Sequence, residues 1–582
     1  MRPTPQARHV LSIAILAAVA GLYGYLAMLD DDLSDTQIDI ASAALKRHDD
    51  ALFAPDPVLG DSQLWRVHTP CFYGLLELVL FPTDYEDPSL AFRVMTPVLA
   101  MIFMCGMYGL LYRQCRSWSV AVFVAVLSTA FTTTLGRAWW GAGVLAAVTP
   151  TGICIALTPL VVLAFIHYAG AAGESGGHQW RLLLVFACVG LMGNIHLVAA
   201  MNLALVLLIA YLGKMRFRPS ALPVAVGCGA AAVIGAFPYI TYFLTLRARL
   251  VPADAQVSQK AIDEALRLGH LAGLYPELAR SLLSWLVFVG SMCIVASLAL
   301  VKVERFKVRD LSAWIWLIVG GFFISIGLHS LTFITGSLRQ AGPPAVAFLQ
   351  ASAYVMLPLY VLVAQALTNL FRLVSTHRLL LRWACVAAMA AWLIPSDNLR
   401  ILRHMGYDAA TMFMAEKPLR VQQLNTRKAA HAEFDNIAQW ARGTDKKSLF
   451  ATNRNEFRMQ GRRSMVVYED DVRYYYYLAP WGLGGFLDRL KRQAALFQRP
   501  TDISELVQLR RDLSARGGFA EATEWYAILP AKLAPLDGGS FEINEAGKWG
   551  KHYRLFRIPP SLPTSGEQQP SSRPAAPARP GP

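Results

Sequence analysis

Long runs of apolar side chains follow one another from Val10 to about Pro395 and then stop. A bilayer core takes about 20 such residues per crossing helix. The first run, Val10 to Leu29, follows Arg2, Arg8 and His9 and leads into Asp30, Asp31 and Asp32. It is longer than the apolar core of a cleaved signal peptide and has no A-x-A at its end, which predicts a retained helix. Further spans are expected near 92–112, 117–135, 143–168, 181–195, 197–212, 221–246, 279–301, 311–331, 347–367 and 380–396, eleven with the first. The stretch 181–212 is interrupted by Gly193-Asn194-Ile195-His196. A straight helix of that length would overrun the bilayer, so two short helices and a hairpin are expected. Cys71 to Phe81 is too short to cross and suits a re-entrant or interfacial helix.

Charge placement sets the orientation. With 71–81 not crossing, the segments 1–9, 113–116, 169–181, 213–220, 302–310 and 368–382 hold 15 Lys and Arg against 3 acids, and the opposite loops hold 9 against 17. The positive-inside rule then puts the N-terminus in the cytoplasm and everything after the eleventh span outside. Were 71–81 to cross, Lys214, Arg216 and Arg218 would face outward.

After Pro395 the pattern becomes mixed and strongly charged. Ser448–Thr452, Ser464–Tyr468, Trp525–Leu529 and Tyr553–Ile558 read as strands, and Gly485–Phe497 and Ile503–Arg516 as helices. The expected fold class is an α-helical polytopic membrane protein with a small C-terminal extracytoplasmic α/β domain. Its parts are a first transmembrane helix (1–29), an acidic outer loop (30–91), a ten-helix region (92–396), the α/β domain (397–560) and a disordered tail (561–582) with six prolines.

Composition agrees: 55% of the 582 residues are hydrophobic, 16% are charged and the mean hydropathy is +0.37. Soluble, fibrous and wholly disordered chains are excluded. The net charge of +14 would suggest nucleic acid in a soluble protein, but here basic residues border apolar runs, so no nucleic-acid partner is expected. Eight cysteines without a C-x-x-C pair give neither a disulfide framework nor a zinc site.

The loop from Asp30 to Pro70 carries nine Asp against Lys46, Arg47 and Arg66. Asp35 and Asp39, four apart behind a Ser34 cap, would share a helix face, where paired carboxylates raise one pKa or hold a cation. They equally suit a helix start, where acids meet the positive dipole end. Asp56 stands between Pro55 and Pro57, a stiff mount for a carboxylate or an ordinary turn, with Asp61 and His68 further along the same loop. On the expected outer side the cations that border the spans are few: Arg137, Arg247, Arg249 and Arg339. Arg137, beside Trp139 and Trp140, fits a phosphate fork with sugar-stacking rings, or an interfacial anchor. His196 and His329, at the ends of apolar runs, suit a ligand contact or helix packing.

One helix, an acidic outer loop with early Asp residues and the Phe53-Ala54-Pro55-Asp56-Pro57 element, and a short amphiphilic helix resemble the GT-C superfamily of integral-membrane glycosyltransferases. So do the break at Gly193-Asn194-Ile195-His196, the Phe348-Leu349-Gln350 start of the tenth span, and Phe457-Arg458, Arg462-Arg463-Ser464 and Val466-Val467-Tyr468 downstream. The likeness to uncharacterised bacterial members covers most of residues 1–560. It implies transfer of a sugar from a polyprenyl-phosphate carrier to a glycan, lipid or protein acceptor on the outer face of a bacterial plasma membrane. Asp35, Asp39 and Asp56 are the positions that match the catalytic acid of the first outer loop, which here lacks the D-E pair common in that group. Asp61, His68, Arg137, Trp139, Trp140, His196 and Arg339 are the candidate substrate contacts, and Asp35 and Asp39 the ligands of any divalent cation, Mg2+ or Mn2+. A transporter would place ionisable groups at mid-membrane depth, and the spans hold almost none. A non-catalytic assembly or sensor protein remains the other alternative.

Overall fold

The computed structural model describes residues 4–60, 64–135, 138–171, 179–250, 258–267, 310–332, 348–373, 396–411 and 419–561, less 516–518, 520, 536–540 and 546, with isolated positions between 383 and 394. The expected span 279–301, nearly all of 380–396 and the tail 561–582, apart from Ser561, lie outside these residues. The chain forms two compact units. The first comprises Met1–Ala44, Arg66–Ala255 and Ile262–Glu416; the second comprises Leu45–Trp65, Gln256–Ala261 and Lys417–Pro582.

Among the described residues, seven helices are long and apolar enough to cross a membrane: Gln6–Met28, Ser89–Cys115, Pro150–Ala169, Leu197–Lys214, Pro219–Leu250, Leu311–Thr332 and Phe348–Asn369. In the first unit, α1 (Pro5–Met28) starts with Thr4 capping Ala7 N and Pro5 in the first turn. It runs antiparallel to α4 (Ser89–Cys115). Gly24 lets Pro97 approach at one end, while His9 Nδ1 meets Tyr108 OH at 2.7 Å at the other. Between them in sequence come α2 (Asp35–His48) and α3 (Pro70–Leu80), which exposes Leu75 and Leu78 as an interfacial helix would.

One expected span turns out short. The helix expected over 117–135 is α5 (Trp118–Leu127), after which the chain turns into a small hairpin, β1 (Thr132–Thr133) against β2 (Trp139–Trp140). Polar and β-branched residues from Ser128 to Thr134 favour that change. Next come α6 (Pro150–Ala171) and α7 (Gln179–Met192). At 14 residues α7 is about 21 Å long, less than a bilayer core. A turn at Gly193–His196 leads into α8 (Leu197–Lys214), as the interruption in the apolar run predicts.

Helices α7 and α9 (Leu222–Leu250) meet at glycines. A Cβ on Gly190 would lie 2.1 Å from Ala232 O, and one on Gly235 would lie 2.4 Å from Ala187 O. Pro238 interrupts the ladder of α9, and Asn194 fills the gap. Its Oδ1 accepts from Tyr239 N at 3.0 Å and its Nδ2 donates to Gly235 O at 2.9 Å, two groups that an uninterrupted helix would pair with each other. Opposite α8, helix Leu311–Phe322 continues through a π turn, Phe323–Leu328.

The second unit is an α/β body. Strands β3 (Leu449–Ala451), β4 (Ser464–Met465), β5 (Trp525–Pro530), β6 (Glu542–Ile543) and β7 (Tyr553–Arg557) form one sheet in the order β4-β3-β5-β7-β6. The strand β3 is parallel to β4 and β5, and β7 is antiparallel to β5 and β6. Helices Leu483–Ala495 and Ile503–Ser514 stand where the apolar spacing puts them. A core of Phe434, Ile437, Phe450, Phe457, Met465, Tyr526, Ile528 and Leu555 ties helix Leu419–Arg442 to the sheet. The tyrosine run Tyr474–Tyr477 lies in helix Val472–Leu478, with Tyr474 and Tyr475 buried. The division between units falls at 416/417 and draws the loop segment 45–65 into the second.

Candidate functional site

Contacts fix which helix ends share one end of the first unit. Cys154 Sγ in α6 reaches Met192 O at the end of α7, Gly190 meets Gly235 in α9, and Tyr354 OH donates to Ala199 O in α8. The hairpin end therefore gathers the last turns of α1, α7 and α9 and the first turns of α4, α6 and α8. Arg113, Arg116, Lys214, Arg216 and Arg218 belong to the opposite end.

At the hairpin end α2 lies anchored by Gln37. Its Oε1 accepts from Ser34 N (2.9 Å) and Ser34 Oγ (3.0 Å), the reach-back half of a capping box. Its Nε2 donates to Leu145 O (2.8 Å) and Val148 O (3.0 Å) ahead of α6. This one buried carboxamide holds the acidic helix in place, and no sequence signal singled it out. Asp35 is exposed in the first turn, and Asp39, one turn on, is 9% exposed. The two share a helix side but not an environment. Just before α2, Asp30 receives Arg400 Nη2 at 2.7 and 2.8 Å, and Asp32 pairs with the same guanidinium.

A strap from Arg66 to Thr69 crosses α9 near Tyr239 and Tyr242 and the α7–α8 turn. Tyr242 OH donates to Arg66 O, Tyr239 OH to Val67 O, and Thr69 Oγ1 to Ile195 O, at 2.9, 2.9 and 3.0 Å. Arg66 faces α9 across a recess of about 320 Å3, lined by Pro238, Thr241, Tyr242, Thr245, Leu246 and Arg249. The lining thus includes two arginines and three hydroxyl-bearing residues. Adjacent positions of α9, Val233, Phe237 and Leu244, are more than half exposed, as lipid-facing side chains are.

His68 and His196 are half-buried at the same end and within electrostatic reach of each other. His196 is the N-cap of α8: its Nδ1 accepts from Ala199 N at 3.0 Å. Desolvation lowers each imidazole to about 4, with the charge of His196 opposing protonation of His68 as well. Both rings are therefore neutral at pH 7.

The remaining candidates are placed differently. Trp140 is fully buried, edge-on to Phe103 at 5.4 Å, so it is a core residue rather than a sugar platform or an interface anchor. Trp139 stacks on Phe131 at 5.1 Å and stays partly exposed. Gly141, at φ +121°, gives the hairpin its close return, since a Cβ there would lie 2.7 Å from Ala130 O. Asp61, Arg137 and Arg339 lie outside the described residues.

Asp56, in the second unit, has a carboxylate fully occupied by donors. Oδ1 accepts from Val58 N (2.9 Å), Leu59 N (3.0 Å) and Arg458 Nη2 (3.2 Å), and Oδ2 from Arg458 Nε (3.0 Å) and Met465 N (3.1 Å). The far edge of Arg458 meets both oxygens of Asp471 at 2.7 Å. Burial raises the Asp471 carboxyl above its ordinary pKa, and the Arg458 charge opposes that rise. Side chains of Asp56 and Asp471 are 0% exposed and that of Arg458 2%. Asp56 is thus a structural ion-pair partner and not a carboxylate open to a substrate. The stiff Pro-Asp-Pro mount was legible, but its partner 402 residues away was not.

No family model and no curated protein matches this chain. Among solved structures it is similar to the oligosaccharyltransferase of Archaeoglobus fulgidus. The complex of that protein with zinc and sulfate gives a TM-score of 0.44 at 11% identity, over 90% of this chain and 68% of the other. The AglB complex from the same organism with an inhibitory peptide and a dolichol-phosphate gives 0.45 at 11%, over 90% and 69%. A likeness this distant decides neither family nor activity.

Proposed function

We propose that this chain is a membrane glycosyltransferase of GT-C type that moves a sugar from a polyprenyl-phosphate carrier to an acceptor on the outer face. The observation that carries the reading is the recess at the end of α9. Arg66 and Arg249 offer forked donors suited to phosphate oxygens, and the lipid-facing stripe of Val233, Phe237 and Leu244 suits the attached chain. An anionic head with an apolar tail matches both surfaces. The orientation belongs to the proposal: the basic loops of the opposite end face the cytoplasm and the hairpin end faces outward.

The acceptor oxygen attacks the anomeric carbon, and the bond from that carbon to the phosphate oxygen breaks with its electrons on the phosphate. Asp35, exposed in the first turn of α2, takes the acceptor's proton. The two guanidiniums stabilise the charge that develops on the leaving phosphate. Among the described residues no three His, Cys, Asp or Glu side chains come together as a cation site. Two carboxylates in unlike environments do not fit a Mg2+ or Mn2+ ion by themselves, and no step here uses one.

The test is transfer by purified protein from a polyprenyl-phosphate-sugar. Asp35→Asn should abolish turnover with expression unchanged, and Arg66→Gln with Arg249→Gln should weaken donor binding by tenfold or more, given about 1.5–3 kcal/mol per charged hydrogen bond. Wild-type turnover in Asp35→Asn and Asp39→Asn alike would remove the base from α2. Unchanged donor affinity in the double arginine variant would remove the phosphate from the recess.

A further inference from the structure

A helix N-cap needs only a short acceptor, and Asn, Asp, Ser and Thr serve best. At α8 the cap is His196, a larger ring that must give up rotamer freedom to do the same work. What the imidazole adds is a second nitrogen. Because Nδ1 accepts the Ala199 N–H at 3.0 Å, it carries no proton, and the neutral ring must hold its hydrogen on Nε2. The cap thus fixes both the tautomer and the ring, and turns the far edge of His196 into a donor of set direction. The same tautomer leaves Nε2 without a lone pair for a metal.

The surroundings of that donor indicate what it would meet. His196 is half-buried rather than sealed in the core, and His68 stands within electrostatic reach. The Thr69–Ile195 hydrogen bond of 3.0 Å locks together the segments that carry the two rings. With Nδ1 taken by Ala199 N, His196 has one uncharged donor left, which suits a hydroxyl oxygen and brings no charge for an anion. The cationic groups for an anion lie instead with Arg66 and Arg249 in the recess of α9. Arg66 and His68 belong to one four-residue strap, so the two chemistries are neighbours in the same unit.

We propose that His196, besides capping α8, donates its Nε2–H to a hydroxyl oxygen of a carbohydrate bound at the hairpin end. The sugar of the donor is read by the His196–His68 side of the strap and its phosphate by the arginine side. This assignment rests on the transferase reading above, and the experiment separates the two.

Full-length protein in lipid nanodiscs is titrated with undecaprenyl phosphate alone and with a panel of its hexose and pentose esters. His196→Asn is the informative variant, because asparagine is as good a cap and keeps an acceptor for Ala199 N but has no donor at the Nε2 position. Wild type should bind at least one sugar ester more tightly than the bare lipid. His196→Asn should lose about two- to tenfold of affinity for that ester, the range of one hydrogen bond, with bare-lipid affinity and Tm unchanged. His196→Ala should show the same loss and a lowered Tm. Equal affinity of His196→Asn and wild type for every ester, or an equal loss for esters and bare lipid, would overturn the assignment. A wild type that binds bare lipid but does not favour any ester would overturn it as well while leaving the phosphate recess standing. Absence of bare-lipid binding would bring down the transferase reading instead.

Discussion

Single side chains at the hairpin end show how far residue type predicts role. His196 was visible as a candidate at the end of an apolar run and His68 as part of the acidic loop, but the neutrality of both and the tautomer of His196 came only with the burial and the cap. These two rings make stability depend on pH in a definite sense. Each titrates at about 4 in the folded chain against about 6.5 unfolded, so the unfolded state binds more protons in between. Stability is full above about 6.5 and falls as the pH drops towards 4. Thermal melts across that interval should show a declining Tm, with a shallower decline in His196→Asn; parallel profiles would assign the dependence to other groups. Asp56 illustrates the opposite case. A carboxylate between prolines has the same sequence signature whether it serves a substrate or an arginine, and only the five donors around it decide. Arg458 keeps Asp471 when Asp56 is replaced, but the charge-assisted hydrogen bonds to Asp56 are lost, at about 1.5–3 kcal/mol each. Asp56→Asn should therefore lower the unfolding temperature and expose the second unit to protease, beyond any change in turnover.

Among the elements, hydrophobic periodicity located the spans well and their interruptions only in part. The α7–α8 turn was legible because Gly193-Asn194-Ile195-His196 is a polar break in an apolar run. The reason for asparagine there was not, since it lies in another helix. Asn194 takes up Tyr239 N and Gly235 O, the donor and acceptor that part where the Pro238 ring bends α9. Asn194→Ala should destabilise by about 1–3 kcal/mol, because a buried carbonyl and a half-buried N–H lose their partner. Adding Pro238→Ala should recover most of that loss by letting Tyr239 N bond Gly235 O directly. A double-mutant cycle on unfolding free energy measures the coupling, and strictly additive effects would refute the repair. The span expected at 117–135 failed for a different reason. Threonines and a serine pass as mildly polar membrane residues in a hydropathy window, yet their β-branched and backbone-bonding side chains end the helix at Leu127.

For the whole molecule, charge asymmetry carries the proposed orientation, and among the described residues Arg113, Arg116, Lys214, Arg216 and Arg218 share the end of the first unit opposite the hairpin. Reporter fusions should place residue 215 inside the membrane and residue 450 outside; the reverse result would turn the proposed site to the cytoplasm. Four of the five sheet strands, all but β6, and two helices of the second unit were also legible, because each carries its own local apolar spacing. The discontinuity of that unit was not: Leu45–Trp65 belongs with Lys417–Pro582, and pairing between such distant segments leaves no periodicity to detect. This discontinuity sets a schedule for biosynthesis. Asp56 leaves the ribosome 402 residues before Arg458, which at about 5–20 residues per second is a wait of roughly 20–80 s. Throughout that interval the first loop exists without its partner, so its carboxylate stays solvated or is held by another protein until translation is nearly complete.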